Sequence, residues 1–405
     1  MTDELLRSLP KSDLHVHLDG SLRLATLIDL AKEEGVALPS YSESGLQTTV
    51  FKPRYESLEA YLKGFGLTCA VLRTPEALER VAYELCLDAQ TEGVRYLEIR
   101  YAPQLLAADV PSALTALQSV AQGCERAEHA FNHTRSPDDI PFHWGIICCA
   151  MRNVRPAMSP YYRALHRILP ASSDKEFASL LSTALVRLAI DARDRLGIPI
   201  VGIDLAGAEN GYPPKTHERA FSEAHAAFLR KTVHAGEGYG PESIYEAITR
   251  CHAERIGHGT SLFSADAVQA TSIANPRHYV RSLVEYIASR RITLEVCPTS
   301  NFQTIPELDF DIARHPIARM IEANLSVAVC TDNRLVSATT LTKELRLVID
   351  GLGLNQEATR RLLLGGFKAA FFPGSYAQKR QFVAAVSARL DALIAPPIPK
   401  VEAPS

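Results

Sequence analysis

Two histidines one residue apart, His15 and His17, lie near the N-terminus in the run Asp13-Leu14-His15-Val16-His17-Leu18-Asp19-Gly20. Read as a strand, this run projects both imidazoles to one side, because strand side chains alternate. Such a pair can hold a metal and calls for further ligands downstream. Candidates follow at His234, before Ala235-Gly236-Glu237, at His258 between two glycines, and at Asp332 before Asn333. Three imidazoles and one carboxylate suit Zn2+ with an open position for water, whose pKa the metal brings toward neutrality. Glu237, three residues after His234, stands close to such a metal without having to coordinate it, which suits a general acid. Each element also has an ordinary reading: Asp332-Asn333 as a turn, His258 as a loop residue, Glu237 as the first acid of a helix. Their joint placement at four separate strand ends favours the metal.

The elements that must position these residues alternate. Short apolar, β-rich runs are expected as strands at 13–17, 94–101, 142–150, 198–205, 231–235, 255–257, 293–297 and 326–331. Amphipathic helices are expected between them, among others at 75–89 behind a Thr74 cap, 177–196, 218–230 and 241–252. Eight strands with crossover helices predict an α/β fold, a (β/α)8 TIM barrel forming one domain over 1–405. A doubly wound open sheet is the alternative, but it normally carries a phosphate-binding glycine turn after the first strand, where histidines stand here. Gly236-Glu237-Gly238-Tyr239-Gly240 lacks the Gly-Lys-Ser/Thr ending of a P-loop. Residues 21–91 exceed what one crossover needs and predict a helical lid over the strand ends. Within them Leu58, Tyr61, Leu62 and Phe65 recur at helical spacing, as an apolar lid or as ordinary packing. The segment 261–291 is a further insertion of unassigned role. After Leu364 the pattern is helical to about Ile394, and the Pro-rich 395–405 is expected to fray.

Composition bounds the alternatives. A net charge of −3, a sequence pI near 6.5 and no clustered Lys/Arg stripe disfavour nucleic acid and anionic membranes. No apolar run approaches the ~20 residues of a membrane span, and the N-terminus lacks a signal-type apolar core, so a cytoplasmic location is expected. Eight cysteines without Cys-x-x-Cys spacing read as buried thiols rather than a disulfide framework.

Five motifs in order, His15-Val-His17-Leu-Asp19-Gly20, Asp204-Leu-Ala-Gly207, Thr232-Val-His234-Ala-Gly-Glu237, Arg255-Ile-Gly-His258-Gly and Thr331-Asp332, resemble the adenosine deaminase family over Leu9 to about Phe372. Tyr96-Leu-Glu-Ile-Arg100, Cys148-Cys149-Ala-Met151-Arg152 and Cys297-Pro-Thr-Ser300-Asn301 echo it. The resemblance implies a zinc-bearing (β/α)8 barrel in which His15, His17, His234 and Asp332 hold one Zn2+ per chain. It implies that Glu237 protonates purine N1 and that His258 orients the attacking water and takes its proton or stabilises its charge. His17 also lies beside substrate, Asp19 would contact a ribose hydroxyl, Gly207 would donate to N3, and Leu58, Tyr61, Leu62 and Phe65 would line the lid. Asn333 stands where better-known members carry a second Asp. An amide always offers donor hydrogens to N7, whereas Asp must be protonated to do so. The implied reaction is deamination of adenosine and 2'-deoxyadenosine to the inosines and ammonia. The alternatives are a deaminase of another 6-aminopurine compound, such as cyclic AMP or aminodeoxyfutalosine, and an inactive nucleoside-binding barrel. A two-metal amidohydrolase is disfavoured because the end of strand four offers no Lys.

Overall fold

The computed structural model describes residues 1–55, 58–170 and 172–394. Eight parallel strands run in sequence order, β1 (Lys11–His17), β2 (Val94–Tyr101), β3 (His143–Met151), β4 (Ile200–Ala206), β5 (Arg230–Ala235), β6 (Arg255–His258), β7 (Thr293–Val296) and β8 (Ser326–Val329). A bridge between Val16 and Asp332 closes the first strand onto the segment after the last. At that seam Asp332 N–H donates to His15 O and His17 N–H donates to Asp332 O, each at 2.7 Å. The closure of the barrel therefore ties three candidate ligand residues together through backbone alone.

The strands are buried over almost their whole length, as expected for parallel strands covered by helices. The helices start where the sequence provides caps: Thr74 accepts from Ala77 N–H, and Ser173 forms a capping box with Glu176. A cluster of buried charge fills the barrel interior beneath the strand ends. Glu295 accepts from Arg100 at 2.9 Å and from Arg255 Nε at 2.6 Å, while Arg255 also pairs with Glu98 and Arg100 with Asp204 at 3.0 Å. Each buried charge has an opposite partner, which its removal from water demands.

Several expected boundaries move. The helix expected at 218–230 is Glu218–Ala226: Phe228 adopts φ +58°, and Arg230 already belongs to β5. The helical stretch expected from Leu364 to Ile394 is two helices, Gln356–Ala369 and Tyr376–Ile394, because Phe372-Pro373-Gly374 interrupts it. The segment 261–291 holds a 3-10 turn, Ala265–Ala267, and the helix Pro276–Arg290, which buries Val280, Leu283 and Ile287; it is the crossover from β6 to β7. Between β1 and β2 lie the helices Leu24–Glu33, Glu43–Thr49, Leu58–Val71 and Pro75–Thr91. No helix among the described residues is long and apolar enough to cross a membrane. All eight cysteines are free. The expected fraying of 395–405 falls outside the described residues.

Candidate active site

A cavity of about 280 Å3 opens at the C-terminal ends of the strands, where barrels of this kind place their chemistry. His17, His234, His258, Asp332 and Glu237 line it at one end; Tyr61, Leu62 and Phe65, from the helix Leu58–Val71, line it at the other. A wider groove of about 820 Å3 at the opposite end of β5 and β6 lies far from every candidate ligand.

Five donor groups converge on one point. One ligand atom from each of His15, His234, His258 and Asp332 lies within 4.8 Å of the others. His17 Nε2 approaches the same centre, 3.3 Å from His234 Nε2 and 3.4 Å from Asp332 Oδ1. His15 Nε2 lies 3.4 Å from Asp332 Oδ1 and is otherwise buried without a hydrogen-bond partner. Burial of that many converging lone pairs is costly unless a cation satisfies them.

The far sides of His15, His234 and Asp332 are each held by a second group. His15 Nδ1 donates to Glu295 at 2.9 Å, His234 Nδ1 donates to Asp204 at 2.9 Å, and Ser300 Oγ donates to Asp332 Oδ2 at 2.6 Å. These bonds turn the remaining atom of each side chain inward, as metal ligands require. Burial, with the Arg100 charge nearby, keeps His15 below its ordinary pKa, and burial holds His17 well below it, so both offer lone pairs. Burial would also lower His234, but the Asp204 carboxylate overrides it and raises the imidazole, making it a stronger base. Against burial, the surrounding histidines hold the Asp332 carboxyl below its ordinary value, and His234 and Arg100 do the same for Asp204.

His258 differs from the other imidazoles in where its proton must sit. Ile317 N–H, an unambiguous donor, donates to His315 Nδ1 at 3.1 Å, so neutral His315 carries its proton on Nε2 and donates to Asn301 Oδ1 at 3.2 Å. Asn301 then presents Nδ2 to His258 Nδ1 at 3.0 Å. His258 is thereby assigned a proton on Nε2, the nitrogen that faces the cavity and lies 3.6 Å from Glu237 Oε2. A nitrogen that carries a proton has no lone pair for a metal. His15, His17 and His234 keep Nε2 toward the common centre and could hold a metal there. His258 and Asp332 both adopt left-handed backbone, φ +64° and +59°, an uncommon state for non-glycine residues that concentrates at functional sites.

Glu237 stands on a loop pinned by a carboxylate. Glu209 accepts from the backbone N–H of Gly236, Glu237 and Gly238 at 2.7, 2.9 and 2.7 Å, and Thr304 Oγ1 donates to Glu237 Oε1 at 3.0 Å. Gly236 takes φ +78°, which bends these three amides around one carboxylate. Asp19 lines the cavity with Oδ2 near Cys69 Sγ at 3.6 Å and Oδ1 buried without a partner; burial pushes its pKa up to about 6. Gly207 lines the opposite wall with φ +95°. Asn333 donates to Tyr61 Oη at 2.7 Å. Tyr61 is fully buried, Leu62 is exposed and Phe65 is half-buried; the Leu58 side chain lies outside the described portion.

Sequence reasoning left several of these groups without a role. Ser300, Asn301, Asp204 and Arg100 stood inside quoted motifs, so a signal existed. Glu209, Glu295 and His315 stood alone, and only their partners distinguish them from any other polar residue.

Comparison with known proteins returns a family model described as adenosine deaminase, matching residues 10–388. The adenosine deaminase of Mycobacterium leprae is 34% identical over 372 residues, covering 91% of this chain and 92% of that one. That of Mycobacterium avium is 35% identical over 373 residues with the same coverage. Among solved structures, the apo N6-methyl-AMP deaminase of Arabidopsis thaliana superposes with a TM-score of 0.69 at 25% identity, covering 96% of this chain and 98% of that one.

Proposed function

The chain belongs to the adenosine deaminase family, and we propose that it hydrolyses adenosine and 2'-deoxyadenosine to the corresponding inosines and ammonia. The observation that carries this reading is the convergence of His15, His17, His234 and Asp332, with His15 Nε2 buried without a hydrogen-bond partner and an acid, Glu237, lining the same cavity. Three imidazoles and a carboxylate with nitrogen and oxygen donors fit one Zn2+. When bound, that ion supplies a nucleophilic hydroxide near neutral pH.

The chain's own residues do the rest. Glu237 gives its proton to purine N1, which withdraws electrons from C6 and makes it electrophilic; Thr304 and the Glu209-held loop fix the carboxyl for that transfer. His258, presenting Nε2–H, orients the attacking water and stabilises the negative charge that develops on its oxygen. As the water oxygen becomes the C6 carbonyl it gives up both protons: one restores Glu237 and the other reaches N6, so that the C6–N6 bond breaks and the amino group leaves as ammonia while N1 keeps the proton from Glu237. Asp19 accepts from a ribose hydroxyl through its unpartnered Oδ1, Gly207 donates to N3, and Asn333 donates to N7. Leu62 and Phe65 complete an apolar lid that excludes water.

Purified enzyme offered adenosine, 2'-deoxyadenosine, AMP, N6-methyl-AMP, cyclic AMP and aminodeoxyfutalosine, with the ultraviolet change on deamination recorded, tests this reading. The nucleosides are expected to turn over fastest, and elemental analysis is expected to give one zinc per chain. Preference for a nucleotide moves the substrate, two metals per chain revive a binuclear amidohydrolase, and no turnover at all defeats the proposal.

A further inference from the structure

We infer that Tyr61 is a positioning residue for substrate recognition: its hydroxyl fixes the amide of Asn333 so that one N–H is presented to the purine. This rests on the 6-aminopurine reading above and deepens it. At helical spacing Tyr61 reads as one more apolar residue of a lid. In the structure it is the buried centre of a polar chain. Its hydroxyl lies 2.7 Å from Asn333 Nδ2, 3.0 Å from Ser337 Oγ and 3.4 Å from Ser300 Oγ.

The direction of that chain follows from its two ends. Asp332 is an acceptor only, so Ser300 spends its proton on Oδ2, and its oxygen is left to accept. Tyr61 has a single proton and gives it to the serine side, leaving its lone pairs for Asn333. The other end agrees. Asn333 Oδ1 rests against Gly20, where a built Cβ would fall 1.9 Å from that oxygen. The reversed amide would press its two hydrogens against the Gly20 methylene. Asn333 Nδ2 therefore meets Tyr61 and spends one of its two hydrogens there. The second hydrogen is left for the cavity that Asn333 lines, where an acceptor nitrogen of the purine can take it.

Because Tyr61 sits on the helix Leu58–Val71, the amide is set only when that helix is in place. Asp332 Oδ2, Ser300, Tyr61 and Asn333 thus form one line from the metal end of the cavity to the purine end. Removal of the hydroxyl strands Nδ2–H without an acceptor and leaves only the contact with Gly20 to set the amide plane, so the second N–H is no longer held toward the cavity.

The test compares adenosine with 7-deazaadenosine, which lacks the N7 acceptor. For wild type and Tyr61→Phe, the quantity read is the 7-deazaadenosine inhibition constant divided by the adenosine KM. Tyr61→Phe is expected to reduce this ratio about tenfold, through a rise in the adenosine KM with kcat changed far less and zinc content unchanged. Tyr55→Phe is the control. The Tyr55 ring packs edge-on to Tyr61 at 5.1 Å, but its hydroxyl donates to Val336 O and accepts from Lys52 N–H. It is expected to leave the ratio unaltered. If Tyr61→Phe fails to fold, Tyr61→Leu removes the same hydroxyl and carries the same expectation. An unchanged ratio in a folded, zinc-replete Tyr61 variant overturns the inference and leaves the deaminase reading standing. Failure of wild type to deaminate any 6-aminopurine overturns that reading itself.

Discussion

The two ends of the cavity are built on different terms. At the metal end three of the four candidate ligands are held twice, by the barrel backbone and by a buried partner: His15 by Glu295, His234 by Asp204 and Asp332 by Ser300. At the other end, proposed above to take the purine, the helix Leu58–Val71 lines the cavity with Tyr61, Leu62 and Phe65, and one phenol hydroxyl connects it to Asn333. The first end is over-determined, because unpaired charges in a low-dielectric interior are expensive and each must be answered. The second is held by few directional bonds. On the function proposed above, chemistry rests on barrel residues, whereas substrate choice rests on an inserted element that can change without unmaking the barrel.

The comparison breaks most visibly at Glu237. Glu237→Gln keeps the shape and removes the proton, so turnover is expected to fall by ~10²–10⁴-fold while zinc and purine binding persist; steady-state rates set beside metal content decide it. Near-normal turnover would show that the acid lies elsewhere. The support of the ligands is the next test. Asp204→Asn weakens the bond that holds His234, and chelator competition is expected to show zinc affinity lower by roughly 10–100-fold. An unchanged affinity would mean that the second bonds at the metal end are redundant.

A smaller effect separates the orientation of His258 from metal binding. His315→Ala removes the donor that sets Asn301, and kcat is expected to drop roughly tenfold with KM and zinc content nearly constant. Loss of zinc in that variant would instead make His258 a ligand, reversing the proton assignment. The smallest effect concerns Glu344, whose carboxylate accepts from Thr299 N–H at 3.0 Å and so anchors the helix that carries Ser300 and Asn301. Burial raises its pKa to about 7 from an ordinary 4.5, so between those values the folded state binds the extra proton. Stability from this group is present below about pH 4.5 and is lost as pH rises through 7. Glu344→Gln is expected to flatten that slope, a difference on the order of a degree or two in Tm between pH 5 and 7.5. Identical slopes in the two proteins would remove Glu344 as its source.

Much of the site was legible because its logic is local. His15 and His17 share a face through strand alternation alone, and His234, His258 and Asp332 each close a short apolar run, so an eight-stranded barrel brings them to one end without further information. Element types were legible for the same reason, since hydrophobic period is a local property. Endings were less so: the helix before β5 stops at Ala226 because the chain turns through left-handed Phe228, and no residue type there announces it.

What the sequence by itself determined is the set of chemical groups and the fold that gathers them: three imidazoles, a carboxylate and an acid at strand ends, in an order that resembles one family. What only the tertiary structure decided is the state of those groups. Where the His258 proton sits depends on Asn301 and His315, 43 and 14 residues apart in sequence along the chain of bonds. Whether Tyr61 is a greasy lid residue or a polar anchor depends on Ser300, Asn333 and Ser337, which lie 239, 272 and 276 residues away. A hydrogen bond is set by distance and direction between two atoms. Sequence spacing carries that information within a strand or a helix turn, and loses it once the partners come from different elements.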